Sequence, residues 1–437
     1  MAKIVSTIIF CIVFLVAQDE VNYFELAKTN FNENNLVFAL EQINLALQSD
    51  STDAEICAFA YEIAFKLDDL DQAYQFIRKA IDLDKANEEY RNKWKSLDEI
   101  RSKLNEAQKS FESGYSDEAI SIYGKSIINH PTFALFYYNL GMIYYKQDDF
   151  DNAVYNFKEA RSINPYVDKY DSAILMIAQK LTQTGIEQDR RKDYDLAIVN
   201  YKKSIEYYPN YTEAIFRLGL VLYKVGDFES AKSTLQSLLD IDTTHIQALK
   251  LLGDTYSKLG DKNGAIEWYR KAVEINPNYD KAHYSLGRTL MSVGDNEGAI
   301  QSLNKAVEVN PTYSKAYETL GAIYQSTEQV DLAIQNYELS IANLDPRKKS
   351  GYVVYYRLAL AYNEKQEYEK AKEAAKSSIN IKRNYAAANF ELGIAEMYLC
   401  NEVASKDAFE KAKKDRNYRK SVESYLKNYK YYSKDCN

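Results

Sequence analysis

Residues 252–279 read LGDTYSKLGDKNGAIEWYRKAVEINPNY, and residues 286–313 read LGRTLMSVGDNEGAIQSLNKAVEVNPTY. The two frames are offset by 34 residues, with Leu-Gly, Gly-Asp, Gly-Ala-Ile, Lys-Ala-Val-Glu and Asn-Pro in register. Leu252, Gly253 and Tyr256 fall on one face of a first helix, and Ala265, Tyr269 and Ala272 on one face of a second. Gly and Ala at those points let two antiparallel helices approach closely, with aromatic rings filling the space beside them. The Gly-Asp pair closes the first helix with a permissive turn. The proline stops the second helix, because the residue before proline avoids helical angles. One such hairpin cannot bury its own apolar face. Stacking on the next hairpin does, so a small-residue skeleton recurs while exposed positions vary.

The register extends along almost the whole chain. The alanine of Gly-Ala-Ile recurs as Ala39, Ala73, Ala119, Ala153, Ala197, Ala231, Ala265, Ala299, Ala333 and Ala371, and Ser405 closes the series. Eleven units result, starting near 20, 54, 100, 134, 178, 212, 246, 280, 314, 352 and 386. About twelve extra residues near 88–99 and about ten near 168–177 are helical in character and are expected to lengthen first helices. Four more near 348–351 read as loop. All six prolines (Pro131, Pro165, Pro209, Pro277, Pro311 and Pro346) lie at or one place past the same column.

These columns resemble the tetratricopeptide repeat family over residues 20–419. The units at 134, 246, 280 and 314 carry nearly the full pattern; those at 20, 54, 100 and 178 are degenerate, with Ala27 and Ala107 in place of glycine. The resemblance implies an all-α solenoid, a right-handed superhelix of about eleven hairpins whose first helices line a concave groove. It also implies a groove that binds extended or helical segments of other proteins. The array spans 18–419, and residues 420–437 are expected to form a capping helix and basic tail, with Val422, Tyr425, Tyr429 and Tyr432 at helical spacing.

Composition agrees with a packed helical body: 46% of the 437 residues are hydrophobic, with 15 Gly and 6 Pro. A net charge of −8, with no basic tract in the body, argues against nucleic acid, whose binding rests on neutralising phosphates. The cysteines are Cys11, Cys57, Cys400 and Cys436, without metal-ligand spacing. The reading taken is that they stay unpaired, a Cys400–Cys436 bridge being the alternative. The N-terminus has the form of a secretory leader: MAK, then the 14 uncharged residues IVSTIIFCIVFLVA, then QDE. Residues 1–17 are expected to direct export to a periplasmic or other extracytoplasmic space, with Ala17 the last residue of the leader. An uncleaved anchor or a buried first helix is the alternative.

In the first helices, the face opposite the hairpin contact carries Leu135, Tyr138, Met142 and Tyr145 in the unit at 134, and Glu213, Phe216, Leu220 and Tyr223 at 212. It carries Val353, Tyr356, Leu360 and Asn363 at 352, and Ala387, Phe390, Ile394 and Met397 at 386. Between them lie Lys250 with Asp254, Lys281 with Tyr284 and Arg288, and Lys315. The groove is thus expected to have aromatic-aliphatic ends and a basic middle. The partner-binding candidates are Tyr138, Met142, Tyr145, Phe216, Leu220, Tyr223, Lys250, Tyr284, Arg288, Tyr356, Leu360 and Phe390. Tyrosines in such places supply rigid amphipathic contact area.

Two ligand-binding patterns of the family are missing. The carboxylate clamp needs Asn one turn after Lys, and Lys250 is followed by Asp254. An asparagine ladder would occupy the column that reads Asn139, Gln183, Arg217, Leu251, Ser285, Thr319 and Arg357. His130, His245 and His283 have no acidic or nucleophilic partner at a motif spacing, and no phosphate loop, HExxH or GxSxG is present. The expectation is therefore a non-enzymatic scaffold without metal, cofactor or small-molecule substrate, supporting assembly of an envelope complex. Residues 411–434 hold nine basic and two acidic residues with interleaved tyrosines, a composition that allows contact with a membrane or cell-wall surface. A glycan- or membrane-surface organiser and an intracellular adaptor resembling a co-chaperone are the alternative readings.

Overall fold

The computed structural model describes residues 22–345 and 351–433. The leader, the loop near 348–351 and Cys436 therefore lie wholly or mostly outside the described residues. Among them there are only helices, joined as hairpins: α1 (Tyr23–Asn32) with α2 (Leu36–Ser49), α3 (Ala54–Lys66) with α4 (Leu70–Leu83), α5 (Glu88–Glu112) with α6 (Ser116–Asn129) and α7 (Ala134–Lys146) with α8 (Phe150–Ile163). Next come α9 (Asp168–Arg191) with α10 (Tyr194–Tyr207), α11 (Thr212–Val225) with α12 (Phe228–Ile241), α13 (Ile246–Lys258) with α14 (Lys262–Ile275) and α15 (Asp280–Ser292) with α16 (Asn296–Val309). The last are α17 (Ser314–Ser326) with α18 (Val330–Ala342), α19 (Tyr352–Glu364) with α20 (Tyr368–Ile381) and α21 (Ala386–Tyr398) with α22 (Glu402–Ala412), followed by α23 (Arg416–Lys427) and the short α24 (Tyr429–Tyr432). The fold is the α-solenoid array of hairpins read from the repeat. The two sequence insertions sit inside α5, of 25 residues, and α9, of 24, where most other first helices have 13.

The hairpin contact follows a simple size rule. The glycine of each first helix faces the large side chain sixteen positions on. A Cβ on Gly253 would lie 2.5 Å from the Tyr269 ring, one on Gly321 2.6 Å from Tyr337, and one on Gly393 2.5 Å from Phe409. Where the first helix has Ala359 instead, the facing residue is Ala375, and both are fully buried. The turn obeys an equally local rule. Gly260 and Gly294 take left-handed φ angles of +88° and +87°, and the next residue, Asp261 or Asp295, caps the second helix by accepting the Gly264 or Gly298 N–H at 2.8 and 2.9 Å.

The chain divides into two compact units: the described residues up to 187 with 199–214, and 188–198 with 215 onward. In the first unit, contacts at the end of α3 depart from neighbour-on-neighbour packing, among them the stacking of Phe65 on Phe133, just ahead of α7, at 5.5 Å. The turn after α3 meets the start of α9, about a hundred residues away. Asn164 donates its side-chain amide to the Lys66 carbonyl at 2.6 Å, and the Tyr170 hydroxyl donates to Asp68. Lys169 Nζ lies 3.4 Å from the same carboxylate, whose side chain is 3% exposed. Burial holds the Asp68 carboxyl above its ordinary range, and the Tyr170 and Lys169 contacts oppose that shift.

In the second unit, α23 and α24 close the last hairpin. Val422 and Tyr429 are buried with Met397, Phe409 and Ala412, and Phe390, Ile394, Tyr418, Tyr425 and Tyr432 pack around them. Cys57 is a buried free thiol. Cys400 is disulfide-bonded, unlike the unpaired thiol expected, and its partner is not among the described residues. No helix of the described residues is long and apolar enough to cross a membrane.

Candidate partner-binding wall on the first helices

Successive first helices of the second unit, α13, α15, α17, α19 and α21, touch one another as well as their own hairpin partners, so they form a continuous wall. Along this wall α13 places Lys250 one turn before Asp254. The ammonium lies 2.5 Å from the Asp254 carboxylate, which also accepts the Tyr269 hydroxyl at 2.7 Å. Burial first, then the Asp254 charge, raises the Tyr269 phenol. Lys250 is thus bound within the wall and does not present an open cation. Arg288 and Lys281 on α15 and Lys315 on α17 are exposed and make no ion pair among the described residues. Tyr284 stands beside them, half-buried against Tyr313 at 5.0 Å, with the Arg288 guanidinium 5.9 Å from its ring.

On α11, Phe216 packs on His245 at 5.0 Å and Tyr223 on Phe228 at 5.5 Å, while Leu220 is half-buried. Burial raises the Tyr223 phenol. In the first unit, Tyr138 stacks between Phe157 and Tyr170 at 5.6 and 5.5 Å. Met142 and Tyr145 lie along the same apolar cluster. Tyr138, Asn139 and Met142 of α7, with Phe111 of α5 and Tyr123, border a cavity of about 280 Å³. Tyr123 is buried, which pushes its phenol up to about 12 against a hydrogen bond to Asn139. The one ladder-type asparagine is therefore engaged by the preceding hairpin.

The end of the second unit differs from the expected open aromatic strip. Phe390 sits among Phe409, Tyr418 and Tyr425, at 5.8, 5.4 and 5.5 Å. Tyr356 packs edge-on to Tyr385 at 5.5 Å and hydrogen-bonds Tyr418. Ala387 and Met397 are buried, and Leu360 is half-buried. The roof is α23, and periodicity along a first helix carries no information about a later segment folding over it. Beneath the roof is a group the sequence reading passed over. Glu391 is 3% exposed, and its carboxylate accepts the Asn363 amide at 2.8 Å. Burial pushes this carboxyl up to about 7, with Glu364 adding to the shift and the Asn363 bond opposing it. Its signal was available: Glu391 continues the column that runs through Arg357, an ionisable residue in an otherwise inward position.

The histidines are placed structurally. His245 caps α13 by accepting the Ala248 N–H at 3.2 Å. His283 is buried, 2.9 Å from the Pro277 carbonyl, and burial lowers its pKa against that bond. His130 Nε2 lies 3.8 Å from Glu99 at the end of α6. No group of His, Cys, Asp and Glu able to hold a metal ion occurs among the described residues.

A protein of Guillardia theta named ycf37 is 30% identical over 106 residues, which is 24% of this chain and 57% of that protein. The Bos taurus BBSome complex member BBS4 is 28% identical over 140 residues, 32% of this chain and 25% of its own length. This chain therefore spans only part of either relative. Among solved structures, the APC/C hetero-tetramer Cut9–Hcn1 aligns over 96% of this chain and 98% of its own, at 11% identity and a TM-score of 0.45. Models of the TPR repeat match residues 253–294 and 287–328, and models of the tetratricopeptide repeat match 62–87, 134–166, 190–255 and 352–385. With matches over more than half of its length and the hairpin geometry seen in both units, the chain belongs to the tetratricopeptide repeat family, and its architecture is that of a protein–protein interaction scaffold.

Proposed function

We propose that the chain is an exported scaffold that holds a segment of another envelope protein against the first-helix wall of its second unit and so supports assembly of a larger complex. The observation that carries this reading is the juxtaposition of half-buried Tyr223 and Tyr284 with the exposed cations Lys281, Arg288 and Lys315, none of them in an ion pair among the described residues. Such a wall suits a segment with acidic side chains and one or two apolar anchors, the aromatics giving contact area and the cations direction. Export is supported by the leader-like residues 1–17 and by the disulfide at Cys400, since such bonds persist mainly in oxidising compartments. The likeness of one stretch to a member of a multi-subunit complex supports the assembly role.

The test is photo-crosslinking in cells from Tyr223 and Tyr284, with Val225 at the outer end of α11 as control. Discrete protein adducts from the two wall positions alone are expected; none from either would overturn the proposal. The mass of the mature N-terminus tests export separately, and a chain starting near Gln18 is expected.

A further inference from the structure

The two ends of the hairpin series are finished differently. Where a hairpin precedes it, the leucine before the glycine column is covered: Leu140, Leu218, Leu252, Leu286, Leu320 and Leu358 are all 8% exposed or less, and Leu392 is partly buried. Leu286, for example, packs into the cluster of Ile266 and Tyr269 from the preceding hairpin. The same column in the first hairpin is Leu26, at 40% exposed. On the outward side of α2, Val37 and Phe38 are 64% and 60% exposed and Leu45 is exposed as well, as Leu196, Leu332 and Leu339 are on later second helices. No described element covers this face. Glu41 lies on the same side of α2 and Glu33 in the turn before it, neither in an ion pair among the described residues, and the first two hairpins (residues 22–84) hold twelve acidic residues against four basic.

At the other end of the series α23 turns its tyrosines inward and a row of cations outward. Arg416, Arg419, Lys420 and Lys427 recur at helical spacing on its exposed side, joined by Lys414 and Lys430. None of these six makes an ion pair among the described residues. Glu423, the one acidic residue of α23, lies 3.8 Å from Lys413. Residues 411–433 hold eight basic residues against two acidic. One chain thus carries an acidic first hairpin with exposed apolar side chains and a basic C-terminal helix whose outward row of six cations makes no ion pair among the described residues.

We propose that the bare first hairpin of one copy receives the basic C-terminal helix of a second copy, joining copies head to tail. Arg and Lys stems lie over Leu26, Val37 and Leu45 while their charged ends meet Glu33 and Glu41, as long cationic side chains do over apolar surface. Charge complementarity commits the occupant to a second copy: it faces cations to carboxylates, whereas pairing two first hairpins would face carboxylates to carboxylates. Because the two surfaces differ, the contact is heterologous, and each added copy leaves one end of each kind open. The proposal uses neither the first-helix wall nor export.

Sedimentation velocity of the full chain over a wide concentration range, at low and high ionic strength, tests it. Reversible association that weakens with salt is expected. The variant R416E/R419E/K420E is expected to weaken association about tenfold, from the exposed pairs with Glu33 and Glu41 lost, and E33K/E41K to do the same. The chain carrying both sets of reversals restores the complementarity and should associate again. Circular dichroism melts, unchanged by these surface changes, show that each variant folds. A wild-type chain that stays monomeric throughout overturns the proposal, as does association that Val37→Asp abolishes while both charge reversals leave it intact, since that is a symmetric pairing of first hairpins. A monomer that instead pellets with anionic phospholipid vesicles assigns the basic row to a bilayer surface and overturns it too.

Discussion

The hairpins α13–α14 and α15–α16 and the last hairpin α21–α22 share one plan and differ in what lies over the inner side of the first helix. In the former, Gly253 and Gly287 dock on their second helices and the inner side is left open, with Arg288 exposed. In the last, Gly393 docks on Phe409 by the same rule, but α23 lies across the inner side and shuts in Phe390, Tyr356 and Glu391. The lesson is that the repeat decides how a hairpin packs on itself and on the next one. Whether its inner side is a binding surface is decided by chain outside the repeat. The aromatic end of the wall is the inner lining of a cap, and the usable wall stops short of it.

The largest effect should come from removing that difference. Val422→Asp places a charge in the fully buried centre of the cap and should cost more than about 3 kcal/mol of local stability. The expected readout is a new low-temperature unfolding step and crosslinking from Phe390, which then behaves like an inner-side residue of the earlier hairpins. Next comes pH. The folded Glu391 carboxyl, near 7, titrates above the roughly 4.3 of an unfolded glutamate. Its contribution is complete below that lower value and is lost as pH rises toward neutrality, because the unfolded chain ionises first, with a ceiling of about 4 kcal/mol. Stability of the cap should therefore fall between about pH 4 and 7 and level off above, and Glu391→Gln should flatten the profile.

A smaller effect tests the shared plan. Gly253→Ala drives a methyl into the Tyr269 ring and should cost about 1–3 kcal/mol in chemical denaturation. The pair G253A/Y269A reproduces the natural Ala359–Ala375 match, so its loss should be less than the sum of the single changes. The smallest effects belong to the open wall. Lys281→Ala and Lys315→Ala should leave stability within about 0.5 kcal/mol while reducing partner crosslinking.

The array was legible because its rules are local. A glycine and the ring sixteen residues on, a left-handed turn and an aspartate cap all lie within one unit, so one sequence frame displays them. The insertions near 88–99 and 168–177 were legible for the same reason, having helical composition and lying just before first-helix columns. The wall was legible only in part. Lys250 and Asp254 are one turn apart and their pairing follows from spacing. The covering of Tyr356 and Phe390 by Tyr418 does not, because nothing in α19 or α21 encodes where α23 returns. The left-handed residues Asp68, Asp148, Glu328 and Gln366 show the limit from the other side. The turn is kept without glycine wherever the surrounding hairpin compensates a modest strain.

The contact between the turn after α3 and the start of α9 has a kinetic consequence. In a stack where every hairpin touches only its neighbours, opening can begin at any hairpin and spread one unit at a time. The bonds from Asn164 to Lys66 and from Tyr170 to Asp68 tie together segments that this scheme would release separately. Hairpins α3–α4, α5–α6 and α7–α8 should therefore exchange their amide protons as a single block, and Tyr170→Phe should split that block into steps.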